Sequence, residues 1–510
     1  MTTLPSGLPV VLDRGDGVPL AVQISAQLQG AVVGGVLRSG DRLPSTRDLA
    51  QVLGVSRTVV TNAYARLFAE GWLEGRHGSG TFVADVTPDG IAAATSTSPV
   101  VAGPAVAVSA VGASAVAGQT SAAAAARAPS ASPAEESQRL IELRPGISWA
   151  DGIDPAVWRR AWRQAGTELP SMWPDPHGLP ELRAEVAGYL RRSRGLAVSP
   201  QQVLVTQGVS NGLALLADAI VRPGDRVGVE EPGYPSAREV LRRAGAEVVP
   251  CRVDAHGVIP QDLPEGLRLL YTTPAHQYPL GGRLPVRRRQ ALVSWARANG
   301  ALVVEDDYDS EFRYDVGPLP ALFSMDPDVI VYLGTASKVL ATALGAGWLV
   351  GSPALISRLA ELRPRLGIRI PEAVQHAILA LLASGDLERH IRKMRLEYAR
   401  RRAALVETLT GAAGHPRGCP PAGDAPPFAP VPFRLLGDTA GMHVVLELPD
   451  GYPAARLVDA AAARGVRIYT TDRYFAGPPA LSGLILGYGT ATLPQVRRAA
   501  AALSPLLTPA

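Results

Sequence analysis

The sequence predicts an α/β protein in two parts: a small helix-turn-helix module followed by a large body built on a mainly parallel sheet. Three observations carry this reading. Short helical stretches flank a glycine turn at Gly54, a long uncharged stretch separates them from the rest, and beyond it apolar strands repeatedly end in turns rich in glycine, tyrosine and carboxylates. At 510 residues the chain is too long for one core and calls for two or three domains. Its net charge is only +4, so any contact with nucleic acid has to come from a local patch. Cys251 and Cys419 are too few for a disulfide framework and have no metal-ligand spacing around them. Met1 to Asp16 lacks the basic flank and apolar run of a secretory signal, so a reducing cytoplasm is expected.

The first module is assigned to residues 10–86. Pro19 to Leu37 alternates with helical period and predicts an apolar face of Leu20, Ile24, Leu28, Val32 and Val36. Gly40-Asp41 breaks it. Ser45 then caps a short helix to Leu53, Gly54-Val55 turns, and Ser56 caps a helix running to about Glu70 with Val60, Ala63, Tyr64 and Leu67 inward. Two short helices about such a turn form a helix-turn-helix, whose second helix enters the major groove amino end first. Arg57, Thr58 and Thr61 occupy the start of that second helix, next to Ser56, and Arg47 lies on the helix before it. Trp72 to Val83 reads as a β-hairpin whose tip, Arg76-His77-Gly78-Ser79-Gly80, can lie along a neighbouring groove. Residues 1–86 hold seven arginines and seven acidic residues, so a DNA contact depends on where the arginines point.

Residues 87–139 read as a linker. Gly90 to Ala126 carries no formal charge, and its Ala and Val content is broken by Pro99, Gly103, Pro104, Gly112 and Gly118, which argues against a membrane helix. As a random coil such a segment spans about 40 Å.

The body, residues 140–510, is read strand by strand. Val203-Leu204-Val205 runs into Thr206-Gln207-Gly208-Val209-Ser210 and an apolar helix, a turn that offers free backbone N–H groups to a phosphate. The next strand ends at Glu230-Glu231-Pro232-Gly233-Tyr234. A third, Leu269 to Thr272, ends in Pro274 to Gly282, and a fourth, Ala301 to Val304, ends in the carboxylate run Glu305 to Glu311. A fifth, Val329 to Leu333, leads to Gly334-Thr335-Ala336-Ser337-Lys338. Such strand ends converge on one rim, where open parallel sheets place their ligands.

Lysine is nearly absent from this chain. Of 50 lysine and arginine residues only Lys338 and Lys393 are lysines, so a bare positive charge is almost always supplied by arginine. A lysine amine forms a Schiff base with an aldehyde once its pKa is lowered, and a guanidinium does not. Lys338 therefore invites a chemical explanation, whereas Lys393 within Glu388 to Arg402 reads as an exposed helix charge. The chemistry fits pyridoxal 5′-phosphate: an imine to Lys338, Asp306 keeping the pyridine nitrogen protonated, Tyr308 at the ring hydroxyl and Tyr234 stacking on the ring. Gly208, Val209, Ser210 and Ser337 would receive the phosphate.

The run Arg42-Leu43-Pro44-Ser45-Thr46-Arg47-Asp48-Leu49-Ala50, then Leu53 to Thr58, then Gly78-Ser79-Gly80-Thr81-Phe82-Val83, resembles the winged helix of GntR-type repressors. The body, from about Ile141 to Pro509, resembles fold-type I aminotransferases, and together the two parts look like the MocR group of the GntR family. The resemblance implies a winged helix-turn-helix joined to a PLP-dependent aminotransferase-like domain with a small α+β carboxy-terminal subdomain. It also implies an effector-binding role for that domain and a head-to-tail homodimer on double-stranded DNA.

Three positions depart from the family pattern. An arginine that grips the phosphate is expected where Gly345 stands, a tyrosine where Trp173 stands, and an arginine for a substrate carboxylate where Ile485 stands. Loss of one charged contact to phosphate costs about 1.5 to 3 kcal/mol, so weakened cofactor binding is expected. The leading expectation is a transcriptional regulator that senses a small molecule and is not an enzyme. The alternatives are a working aminotransferase with a DNA-binding arm, and a regulator that no longer takes the cofactor.

Overall fold

The computed structural model describes residues 10–15, 19–33, 35–70, 72–76, 80–84, 140–314, 320–411, 428–437 and 440–509. The segment assigned as linker, the hairpin-tip residues His77 and Gly78, and Cys419 lie outside these residues.

In the amino-terminal module, α1 (Leu20–Val33), α2 (Thr46–Leu53) and α3 (Arg57–Glu70) precede the antiparallel hairpin of β1 (Leu73–Arg76) and β2 (Gly80–Val83). Ser45 caps α2 by accepting from the backbone N–H of Asp48, and Gly54 ends it in the left-handed conformation at φ 61°. That pair of signals fixes the tight turn between the two helices. Ile24, Leu28, Val32, Val60, Ala63, Tyr64, Leu67, Trp72 and Val83 form one small core. Val36 does not join it. The helix stops at Val33, Gly35 follows at φ 72°, and Val36 is left 61% exposed while Leu37 turns inward.

The body is built on an eight-stranded sheet of order β4-β11-β10-β9-β8-β5-β6-β7. These strands are β4 (Val203–Thr206), β5 (Arg226–Glu231), β6 (Glu247–Asp254), β7 (Gly257–Val258), β8 (Leu267–Thr272), β9 (Leu302–Asp307), β10 (Ile330–Thr335) and β11 (Gly347–Val350). Strands β10, β9, β8, β5 and β6 are parallel, and β11 runs antiparallel between β10 and β4. The carboxyl ends of β4, β10, β9, β8 and β5 therefore share one rim, as expected. Two of the strands extend further than their apolar runs suggest. β9 reaches Asp307 and β10 reaches Thr335, so the carboxylates Glu305, Asp306 and Asp307 are sheet residues and not a loop.

Alternation along the strands sends side chains into two cores. Leu204, Leu269, Tyr271, Val304, Val331, Leu333 and Leu349 pack with Leu213, Leu216, Leu241, Ile356 and Leu359 of the helices on one face. Val203, Val205, Leu270, Val303, Ile330, Tyr332, Trp348 and Val350 join the core on the other. Each such aliphatic side chain contributes about 1.5 to 3 kcal/mol on burial. Strands β12 (Val431–Leu436), β13 (His443–Glu447), β15 (Tyr469–Thr470), β16 (Gly483–Gly487) and β17 (Leu507–Pro509) form the second sheet, of order β15-β16-β13-β12-β17, in the carboxy-terminal subdomain, and β3 (Ile141–Glu142) pairs in parallel with β14 (Val466–Arg467).

The same alternation divides the carboxylates of β9. Asp306 lies on the face of Val304 and Tyr271, while Glu305 and Asp307 lie on the face of Val303 and Tyr332. On that second face Arg194, 1% exposed, pairs with Asp307 at 2.6 Å, and Tyr332 donates its hydroxyl to the same carboxylate at 2.7 Å. Glu305 accepts the backbone N–H groups of Leu322 and Phe323 at 2.8 and 2.9 Å. Removing one partner of a buried ion pair strands the other charge away from water. Arg194→Met should therefore lower stability by about 3 to 5 kcal/mol, measured as a fall in the denaturation midpoint, whereas Arg243→Met on an exposed pair should be near neutral.

Candidate functional site

Lys338 follows β10 by three residues, and its amine donates a hydrogen bond to the carbonyl of Gly146. It opens on a cavity of about 210 Å³. Asp306, Tyr308, Tyr234, Gly208, Val209, Ser210 and Ser337 line the same cavity, so every cofactor-site residue picked from the sequence reaches one place. Tyr278, Gly146, Thr273, Thr335, Thr342 and Gly345 line it too.

The amine end brings Lys338 close to two buried carboxylates, Asp306 and Asp309. Burial pushes Lys338 below the ordinary lysine value, with the charges of Asp306 and Asp309 pulling it partly back. Burial pushes Asp306 up to about 7, opposed by the hydrogen bond it accepts from Tyr271. Its other oxygen, Oδ1, is buried without a partner. A carboxyl raised in this way holds its proton more tightly folded than unfolded. Its ionisation therefore costs folding stability as pH climbs from the ordinary carboxylate range to about 7. A protonated ring nitrogen at Oδ1 would relieve that cost.

The other end suits an anion. Gly208 stands before the helix Val209–Ile220 at φ 99°, a conformation that a side chain would strain, and no side chain caps this helix start. Its first backbone N–H groups are therefore open to a phosphate. Ser337 lies beside this turn: a Cβ on Gly208 would come 3.8 Å from its hydroxyl oxygen. At Gly345 the space is open, the nearest atom to a Cβ being the Gln207 carbonyl oxygen at 3.9 Å, but φ is 56°. An arginine there would strain the backbone. The residues present thus fit pyridoxal phosphate at three points, the amine, the ring nitrogen and the phosphate, and leave the phosphate to uncharged donors.

The aromatic wall differs from the expectation in one respect. Tyr234 and Tyr278 meet edge to face at 5.9 Å, and the Tyr278 hydroxyl lies 3.3 Å from that of Tyr474. Tyr308 does not point its hydroxyl at the cavity alone, because His276 Nδ1 is 2.9 Å away. His276, Tyr278 and His443 carry no role in the sequence reading. The first two sit in the strand-end run Pro274 to Gly282. His443 comes from the distant strand β13, donates from Nε2 to the Pro279 carbonyl at 2.9 Å, and is pushed down to about 4 by burial and by His276. No local pattern announces it.

Ile485 is fully buried in β16, opposite Val445 and Tyr469, and packs in the small cluster that also holds Tyr474 and Tyr278. The position expected to bind a carboxylate is an aliphatic part of the sheet. Trp173 is 85% exposed, next to Met172 at 81% and near Leu169 at 90%. Lys393 is exposed on its helix and donates to the Gly152 carbonyl at 3.0 Å.

In the small module Arg47, Ser56, Arg57, Thr58 and Thr61 are all exposed; Ser56, Arg57, Thr58 and Thr61 mark the amino end of α3, and Arg47 lies on α2. Arg57 Nε donates to Thr46 Oγ1 at 3.3 Å, which ties the two helices across the turn. Arg76 ends β1, and the tip beyond it is not described.

Comparison with known proteins matches both parts. Residues 20–83 match the model of bacterial regulatory proteins of the gntR family, and residues 150–432 match aminotransferase class I and II. The chain is 36% identical to the HTH-type pyridoxine biosynthesis transcriptional regulator PdxR of Corynebacterium glutamicum, over 95% of each chain. It is 32% identical to the "Probable rhizopine catabolism regulatory protein MocR" of Rhizobium meliloti, over 94% of this chain and 92% of that one. Among solved structures, an archaeal alanine:glyoxylate aminotransferase superposes with a TM-score of 0.64 at 24% identity, covering 72% of this chain and 90% of the other. That likeness carries the fold of the body.

The electrostatics of the cavity set a pH dependence. Between about pH 6 and pH 8 Asp306 ionises, which favours a cationic ring opposite its open oxygen, and the lowered Lys338 amine works in the same direction as pH rises. Affinity for pyridoxal phosphate, titrated by absorbance, should rise across that window. Asp306→Asn should lower it about tenfold to a hundredfold and flatten the rise.

Proposed function

Because the chain belongs to the MocR-type regulators of the GntR family, we propose that it is a DNA-binding transcription factor whose body binds pyridoxal phosphate and reports its presence. One observation carries the cofactor reading: Lys338 and the unpartnered oxygen of Asp306 belong to the same cavity as an uncapped helix start. When bound, the cofactor supplies an aldehyde for the amine and a visible chromophore. Lys338 anchors it, Asp306 holds the proton of the ring nitrogen, Tyr234 covers the ring, and the backbone at Gly208 to Ser210 with Ser337 receives the phosphate. Gly345 leaves that phosphate without a guanidinium, so binding is weaker than in a site that has one.

Ile485 supports sensing over turnover. A substrate amino acid would find no guanidinium at that position, so the site retains the groups that hold the cofactor and lacks one that would hold a substrate. The relative at 36% identity is named for pyridoxine biosynthesis, and pyridoxal phosphate itself is accordingly the proposed effector, with control of its own supply as the output. The exposed Leu169, Met172 and Trp173 support a homodimer, proposed as head to tail, in which that apolar stretch is covered. Residues 10–86, 87–139 and 140–510 are the proposed DNA-binding module, linker and effector body, acting in the cytoplasm.

Two experiments test this. Borohydride reduction of the cofactor-saturated protein, followed by peptide mass mapping, should place the adduct on Lys338; an unmodified Lys338 would reject the site. On the promoter region, Arg57→Ala should cost about 1 to 3 kcal/mol and relax sequence choice. Arg47→Ala should instead weaken all sequences alike and reduce the salt slope by about one unit. Footprints in which Arg57→Ala binds as tightly and selectively as the parent would remove α3 as the reading helix.

A further inference from the structure

Behind Tyr308 lies a buried pair that the cofactor assignment does not use. His276 is 2% exposed and Asp309 1% exposed. His276 Nδ1 lies 2.9 Å from Asp309 Oδ2 and 2.9 Å from the Tyr308 hydroxyl oxygen, and the His276 and Tyr308 rings stack at 5.9 Å. Beyond the effect of burial, Asp309 also lies close enough to the Tyr308 hydroxyl for its charge to raise the tyrosine pKa. His276 Nε2 and Asp309 Oδ1 are both buried without a partner. The groups facing this pair are Asp306, Lys338, His443, Tyr278 and Tyr314.

These contacts select one tautomer. A lone pair on Nδ1 would face a carboxylate oxygen at 2.9 Å, and the ring proton would then sit on Nε2, where no acceptor exists. A proton on Nδ1 removes both penalties. It donates to Asp309 and is shared with the Tyr308 oxygen. Asp309, already accepting from His276, becomes a weaker acceptor for the tyrosine. Tyr308, receiving part of the Nδ1 proton, becomes a stronger donor. Its own proton is thereby left to point into the cavity that Tyr308 lines.

We propose that His276 and Asp309 are a positioning dyad that aims the Tyr308 proton at the ring hydroxyl oxygen of a bound pyridoxal phosphate. The inference rests on the cofactor reading above. A donor at that oxygen stabilises its anionic form and so lowers the pH at which the bound cofactor changes its visible spectrum. Without His276, Asp309 draws the Tyr308 proton away; without Asp309, the imidazole is free to adopt the other tautomer and accept it.

The test is a spectrophotometric pH titration of the full chain saturated with pyridoxal phosphate. His276→Leu and Asp309→Asn should each raise the spectral midpoint by about one pH unit, the scale of one hydrogen bond to a charged group. Tyr308→Phe should raise it similarly, and His276→Leu should add nothing in the Tyr308→Phe background. His276→Asn, whose amide nitrogen can replace the Nδ1 donor, should stay near the parent. Midpoints that do not move, even with a lower melting temperature, overturn the dyad while leaving the cofactor reading intact. So does an additive shift in the double variant. Absence of any cofactor spectrum in the parent overturns the cofactor reading, and this inference with it.

Discussion

A carboxylate held out of water at the end of β9 is the constraint on which the rest of the site depends. Asp306 is ionisable, buried and only half satisfied, and its placement is costly unless a cation arrives opposite its open oxygen. The fold places it through elementary strand geometry. Successive residues of β9 face opposite sides of the sheet, so Asp306 meets Tyr271 while its neighbours Glu305 and Asp307 are neutralised elsewhere by backbone N–H groups and by Arg194. Without those partners on the other face, further uncompensated charges beside Asp306 would push its pKa higher still. Arg194 thus acts on the cavity from the opposite core.

The strand order then brings Lys338 to the same rim. β10 lies directly beside β9, with Leu333 in register with Asp306 and Gly334 with Asp307. Gly334 also permits the close packing of β11, because a Cβ there would meet the Trp348 indole nitrogen at 2.1 Å. The tight passage of Trp348 past Gly334 keeps β11 wedged between β10 and β4. That wedge brings the helix start at Gly208 within reach of the lysine loop.

Most of this architecture was legible because it is local. Strand ends carrying Gly-Val-Ser, Gly-Tyr or Glu-Asp-Asp, and a single lysine after an apolar run, are patterns of neighbours in sequence, and the structure brings them to one cavity. Ser45 and Gly54 were equally readable, since a cap and a left-handed terminator act within one turn. What stayed hidden is either long-range or set by tertiary charge. Nothing near His443 indicates that it will pack against His276 from another sheet. Nothing in the carboxylate run separates a wet loop from a dry strand, because the distinction is made by Arg194, over a hundred residues earlier. Val36 failed for the opposite reason: the helical pattern continued, but the helix stops at Val33 and Gly35 turns the chain in the left-handed conformation.

The division of labour in the cavity follows from what each group must do. Holding a cofactor needs an amine, a carboxylate and an anion site, and all three rest on backbone geometry that the sheet enforces. Turning over an amino acid needs, in addition, a partner for a substrate carboxylate, and β16 supplies an isoleucine closed in among Val445 and Tyr474. A guanidinium introduced there would replace an aliphatic side chain packed against Val445 and Tyr474 and would disturb the sheet as well as the site. The departure at Ile485 is therefore built into the packing of the small subdomain, and a single substitution in the cavity would not reverse it. On the DNA side the amino-terminal module carries balanced charge, so one copy gains little from nonspecific attraction to phosphate. In the proposed homodimer two modules engage together, and anything that changes how the body pairs its copies changes the effective concentration of the second module at its half-site. A ligand held at the rim of the sheet needs only a preference for one arrangement of the pair to act on DNA.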